Sequence, residues 1–145
     1  MTRVFDDLLF DSPRSLVRAW LLLAVASLGL SVLCAAVLVL ARTPMLGGWL
    51  PANLFGRALV LHVDLATLVW FLSFAGALWS MNVRARGLSS VWVAWVISLL
   101  GAGAMLIAGF VGSGQAVLSN YVPMVDHPLF VGGLVWFSAG IVVTA

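Results

Sequence analysis

The sequence predicts an all-α integral membrane protein with four transmembrane helices, and two observations carry that prediction. Of the 145 residues, 63% are hydrophobic and only 8% are charged, with a mean hydropathy of +1.17. Soluble domains carry charge on about a quarter of their residues. Four long apolar runs are also present, and about 20 apolar residues cross a bilayer core of roughly 30 Å. We therefore expect residues 1–145 to form a single transmembrane domain.

The first two runs are bounded by turn-forming and charged residues. The first covers about residues 19–41 and is followed by Arg42, Pro44 and a glycine pair, which predict a loop. Charged residues of both signs precede it, which is atypical of a cleavable signal, so we expect this helix to be retained. The second covers about residues 58–81 and is closed by Asn82 and two arginines.

The last two runs differ in how well they fit a span. The third covers about residues 91–111, and Ser89 and Ser90 before it predict a helix start. The fourth covers about residues 129–145, which is near the short limit for crossing a bilayer. It has no charged or aromatic anchor at its end, so we interpret the chain as part of a longer protein or one half of a split one.

The arginines predict the orientation. All seven basic residues are arginine, and five of them fall on one side of the predicted membrane, against Arg42 and Arg57 on the other. This asymmetry predicts a cytoplasmic N-terminus. The arginines lie singly at the ends of apolar runs, which indicates membrane lipid rather than nucleic acid as the partner.

Two ionisable side chains lie inside the apolar runs, His62 and Asp64, about one turn into the second helix from its outer end. At α-helical spacing Ala66, Val69 and Ser73 form a strip of small residues below His62. A neutral imidazole above such a strip suits haem, because the flat macrocycle must approach the helix closely. The alternative is a structural histidine that hydrogen-bonds to a neighbouring helix.

The other polar candidates leave their roles open. Asp64 projects about 200° around the helix from His62, so the two do not form an acid/base pair on one face. It is either a hydrated or arginine-paired carboxylate, or a proton-handling group. His127 lies in an outer loop, where it is either solvated or a further haem ligand. No nucleophile–base, phosphate-loop or Cys/His metal pattern is present, so no catalytic residue is predicted.

The segment Leu61–Trp70, with Gly56 and Arg57 before it, resembles helix two of the haem-copper oxidase and nitric oxide reductase superfamily. Ser119–Pro123 resembles the segment before helix four of that family. The resemblance implies the first third of a twelve-helix subunit I in a bacterial-type inner membrane. His62 would then be an axial ligand of the low-spin haem iron, with Arg57 near the haem and Ala66, Val69 and Ser73 beside it.

The resemblance also implies partners. The remaining helices of subunit I, or a complementary subunit, would supply the second ligand, and copper and a second haem would be present only with those helices. The expected activity is electron transfer towards a dioxygen-reducing centre, as in cytochrome c or quinol oxidases, alongside other oxidase subunits. The alternatives are a nitric oxide reductase-type subunit, a non-catalytic scaffold or assembly subunit and, with less support, a carrier or channel.

Overall fold

A computed structural model of the chain describes residues 13–45, 51, 53–83, 87–111, 113–119 and 122–145. This part of the chain contains four helices and one short β-hairpin. The helices are α1 (Pro13–Arg42), α2 (Leu54–Ser80), α3 (Leu88–Val111) and α4 (Pro128–Thr144). The hairpin pairs β1 (Ala116–Val117) with β2 (Met124–Val125) in antiparallel register.

Three of the four helices are long and apolar enough to cross a membrane: α1, α2 and α3. Their outward surfaces are apolar, as lipid contact requires; Leu22 on α1 is 70% exposed, and Val93 on α3 is 59% exposed. Helix α4 is equally apolar but has 17 residues, about 25 Å at 1.5 Å per residue. The chain is thus a multi-pass membrane protein.

Three helices begin several residues earlier than the sequence pattern predicts. Helix α1 begins at Pro13 rather than near residue 19, because proline suits the first turn of a helix and exposed arginines can extend their charged heads to the membrane surface. Helix α3 begins at Leu88, so Ser89 and Ser90 lie in its first turn and do not cap it. Helix α2 likewise begins at Leu54, four residues before the predicted start.

Close glycine contacts join the helices in antiparallel pairs. Gly76 of α2 lies under the indole of Trp20 on α1, since a Cβ built on the glycine would be 3.0 Å from that ring. Helices α3 and α4 approach more closely still, because a Cβ on Gly101 would collide with backbone atoms of Gly133 and Phe137. Small residues permit such backbone approach in membrane helices, where van der Waals contact replaces the hydrophobic effect.

Leu61 links the two pairs. Its side chain lies against Gly109 of α3, where a Cβ would be 2.5 Å from the leucine. The hairpin packs on the start of α2, since a Cβ on Gly56 would be 3.0 Å from the Ala116 Cβ. The N-terminal half of α2 is therefore enclosed by α1, α3 and the hairpin, and His62 and Asp64 lie there.

Candidate functional site

His62 is held against helix α1 through one ring nitrogen. Its Nδ1 lies 2.9 Å from both the Oγ and the backbone oxygen of Ser31. The Ser31 hydroxyl also donates to the backbone oxygen of His62, at 2.8 Å. The alternative of a histidine bonded to a neighbouring helix is therefore correct as a description of the contact.

The hydrogen-bond pattern assigns the tautomer of the ring. The Ser31 hydroxyl has one proton, and it donates that proton in a hydrogen bond to the His62 backbone oxygen. Nδ1 must then carry the ring proton and donate it to the Ser31 oxygens, since a bare Nδ1 would face their lone pairs without a proton between them. In the neutral ring Nε2 then keeps its lone pair, and the described residues make no hydrogen bond to it.

The histidine lies deeper than the sequence pattern predicts. Because α2 begins at Leu54, His62 is about 12 Å along the axis, more than two turns from the start of the helix rather than one. The side chain is half-buried, and Ser31 opposite is buried. A polar contact at this depth, inside an apolar unit, fixes the relative position of α1 and α2.

A π-helical segment, Asp64–Val69, interrupts the α-helical pattern directly after the histidine. The wider turn contains one extra residue, so positions beyond it are shifted by about one residue around the axis. The shift is visible in the burial pattern of α2. Four buried residues recur every four positions, rather than every 3.6 as in an α-helix: Leu61, Leu65, Val69 and Ser73.

The shift separates two of the predicted haem-lining residues from the histidine. Val69 and Ser73 lie on the face of Leu61 and are fully buried by the chain itself. They do not lie below His62, where uninterrupted α-helical spacing would place them, and their role beside a haem stays a prediction. Ala66 comes before most of the shift and stays below His62, where it is half-buried. The same interval of four places Trp70, also half-buried, in the next turn.

Arg57 and Asp64 lie on the buried part of α2, away from the His62 face. Arg57 is 7% exposed, and its Nη2 lies 3.5 Å from the Asn53 Oδ1. Asp64 is 1% exposed and its Oδ2 has no hydrogen-bond partner among the described residues. The carboxyl is thus not the hydrated surface group that the sequence allowed as one alternative.

His127 caps helix α4. Its Nδ1 accepts a hydrogen bond of 3.2 Å from the Leu129 backbone, and its own backbone is extended, as an N-cap requires. Cys34 is buried in the α1 packing face. Nowhere in the described ranges do three His, Cys, Asp or Glu side chains cluster as a metal site would need. Ser119 lies within the described residues, but Asn120 and Tyr121 of the second family-like segment lie outside them.

Sequence reasoning missed two parts of this site, Ser31 and the π-helical segment. A signal for the first exists, because Ser27, Ser31 and Cys34 recur at helical spacing in an apolar run. Such a row of small, weakly polar residues indicates a face that contacts another helix. For the π-helical segment we find no local sequence signal.

The arrangement fits an axial haem ligand in one respect. Metal-bound histidines generally donate the second ring N–H to a carbonyl or carboxylate, which sets the tautomer and the ring orientation. His62 has this arrangement, with Ser31 as the acceptor. A bound iron at Nε2 would require no change in the contact between α1 and α2.

The comparisons with known proteins find two relatives, both without an assigned function. An "Uncharacterized protein" of Aquifex aeolicus is 33% identical over 122 residues, covering 84% of this chain and 31% of the relative. "Uncharacterized protein RP382" of Rickettsia prowazekii is 30% identical over 155 aligned positions, covering 90% of this chain and 30% of the relative. The chain thus spans less than a third of the length of these relatives. No family model and no solved structure matches.

Proposed function

We propose that the chain is part of a membrane redox subunit of the haem-copper oxidase type, in which His62 binds the iron of a low-spin haem. The observation that carries the proposal is the fixed tautomer: Nδ1 donates to Ser31, and Nε2 is left as a lone-pair donor. A bound haem would supply reversible one-electron transfer, with a potential set by its axial ligands and surroundings.

The chain's own residues have two tasks in this proposal, which are to orient the imidazole and to leave room for a flat group. Ser31 orients the imidazole and, by accepting a hydrogen bond from Nδ1–H, makes Nε2 a better electron donor. Ala66 leaves room for a flat group beside the helix, and Trp70 lies one turn further along the same face. Arg57, buried near the outer end of α2, is the cation nearest in sequence to the ligand.

The second axial ligand would come from outside the described residues, since the Nδ1 of His127 accepts a hydrogen bond and its ring proton therefore lies on Nε2. The proposed partners are therefore the remaining helices of subunit I or a complementary subunit, with other oxidase subunits around them. The length of the two relatives leaves room for further helices. Copper and a second haem would be bound by those helices. Electron transfer to dioxygen or, alternatively, to nitric oxide would also take place there.

A visible spectrum tests the ligand assignment. The protein is purified from its membrane with the subunits that accompany it, and reduced-minus-oxidised spectra are compared for wild type, His62→Ala and His127→Ala. We expect the sharp α-band of low-spin haem in the wild type and in His127→Ala, and its loss in His62→Ala. An unchanged band in His62→Ala would show that another residue binds the iron.

A non-catalytic scaffold or assembly subunit is the second candidate, and the contact between His62 and Ser31 itself favours it. A histidine that only joins two helices would make the same three hydrogen bonds. The same spectra distinguish the candidates, because a scaffold would contain no haem in any of the three proteins and would still assemble with its partners.

The proposed topology has four spans in a bacterial-type inner membrane with the N-terminus in the cytoplasm. Ser89 and Ser113 are exposed at opposite ends of α3 and are suitable positions for single cysteines, since the native Cys34 is buried. A reagent confined to the outside should label Ser113→Cys and not Ser89→Cys. The reverse pattern would place the N-terminus outside.

A further inference from the structure

A groove of about 340 Å³ lies between the start of α1 and the end of α2. It is lined by Pro13, Arg14, Val17, Arg18 and Met81. Both arginines are exposed and stand four residues apart on a helix, so they share one face. Val17 between them and Met81 across from them are apolar.

The two arginines have no counter-anion in the part of the chain that the structure describes. No hydrogen bond, ion pair or ring contact involves Arg14 or Arg18 there, whereas Arg42 at the opposite end of α1 stacks over Phe55 at 4.8 Å. The acidic residue of the described helices is Asp64, 17 residues before Met81 and thus about 25 Å away along α2.

The groove also lies at the start of α1 and the end of α2, two helices that are long and apolar enough to cross a membrane. Directly below it, towards the bilayer centre, both helices expose apolar side chains: Leu22 and Val25 are 70% and 68% exposed, and Leu78 is 50% exposed. A charged end and an apolar continuation together match the two ends of a phospholipid. Basic pockets between membrane helices bind anionic headgroups in this way.

We propose that this groove binds an anionic phospholipid, with the headgroup phosphate on Arg14 and Arg18 and an acyl chain on the surface below. Guanidinium groups bind phosphate oxygens through paired hydrogen bonds, which a zwitterionic headgroup offsets with its own cation. The site is independent of His62 and of any bound cofactor. It selects a lipid by charge at the membrane end that is predicted to face the cytoplasm.

Lipid titration of the detergent-purified full chain, followed by native mass spectrometry, tests the site. The probes are phosphatidylglycerol and, as the zwitterionic control, phosphatidylcholine. Each basic residue near an anionic membrane contributes about 1 kcal/mol, so the Arg14→Gln/Arg18→Gln variant should bind phosphatidylglycerol about 25-fold more weakly. The matched Arg42→Gln variant should bind it as the wild type does, and phosphatidylcholine binding should not change.

Two outcomes would overturn the proposal. One is equal phosphatidylglycerol binding by the double variant and the wild type, with helix content by circular dichroism confirming that both are folded. The other is binding that is absent in the wild type and emerges when Asp6, Asp7 and Asp11 are all replaced by asparagine, which would mean that the chain's own acidic residues fill the groove. Arg14→Lys/Arg18→Lys keeps the charge and should retain most of the binding.

Discussion

Ser31 decides which nitrogen of His62 is available to a ligand. Its backbone oxygen and its hydroxyl oxygen both face Nδ1, and its hydroxyl group donates a hydrogen bond to the backbone oxygen of His62. Two helices and one ring are thereby joined in a closed set of hydrogen bonds, in which every donor has an acceptor. The consequence is chemical as well as structural, because the remaining lone pair on Nε2 has a fixed direction.

Ser31→Ala should therefore weaken haem retention without abolishing it. The variant loses the hydroxyl but keeps the backbone oxygen as an acceptor for Nδ1, so we expect about a tenfold loss of haem affinity, the low end for residues that support a metal ligand. The measurement is transfer of haem to a soluble scavenger. The control is Ser27→Ala, one turn away, whose hydroxyl bonds only to Ala24 of its own helix. Equal losses in both variants would assign the effect to packing.

His127→Ala should change stability rather than the spectrum. The side chain caps α4, and loss of an N-cap acceptor costs about 1 kcal/mol. We expect the free energy of unfolding to fall by about that amount in denaturant titrations, with the α-band unchanged. Loss of the α-band in a folded His127→Ala variant would instead show that His127 is a haem ligand.

At the scale of the element, helix α2 shows where sequence reasoning stops. Its presence and apolarity are readable from composition, but it begins four residues before the start that the apolar run predicts. The direction of Val69 and Ser73 is not readable, because the π-helical segment Asp64–Val69 rotates everything after it and has no local sequence signal that we can name. Ser31 was within reach of the pattern on α1, but only the fold pairs it with His62.

The packing of α3 on α4 gives a prediction with a matched control. A Cβ on Gly101 would meet backbone atoms of Gly133 and Phe137, which cannot rotate away, whereas a Cβ on Gly103 would meet nothing within 4 Å. Gly101→Ala should lower the free energy of unfolding by about 1–3 kcal/mol, because the helices must separate. Gly103→Ala should be neutral or raise it by up to about 1 kcal/mol. Similar values for the two would mean that the helices are less closely packed.

At the scale of the molecule, helix α2 carries two polar features of different character. His62 and Ser31 join α1 to α2, while Asp64 is buried on another side of α2 with one oxygen unpartnered among the described residues. The fold class and the membrane character could be predicted because hydropathy and arginine placement are properties of whole segments. The pairing of the helices depends on a few glycine contacts, which composition does not encode.

The two relatives are both more than three times as long as the part of them that this chain matches. This chain spans less than a third of their length, so the described helices cover one part of a unit that is longer in those proteins. Within that part, His62 is the residue to which the redox proposal assigns a cofactor. The redox proposal therefore depends on whether its Nε2 binds iron.

Chemical rescue of His62→Gly is the most direct test of that claim. The variant is purified with its partner subunits, and its reduced-minus-oxidised spectrum is followed as imidazole is added. We predict that the low-spin α-band is absent without imidazole and returns with a saturable dependence on its concentration, while His127→Gly needs none. A His62→Gly protein that shows the full wild-type band before any imidazole is added would contradict the account.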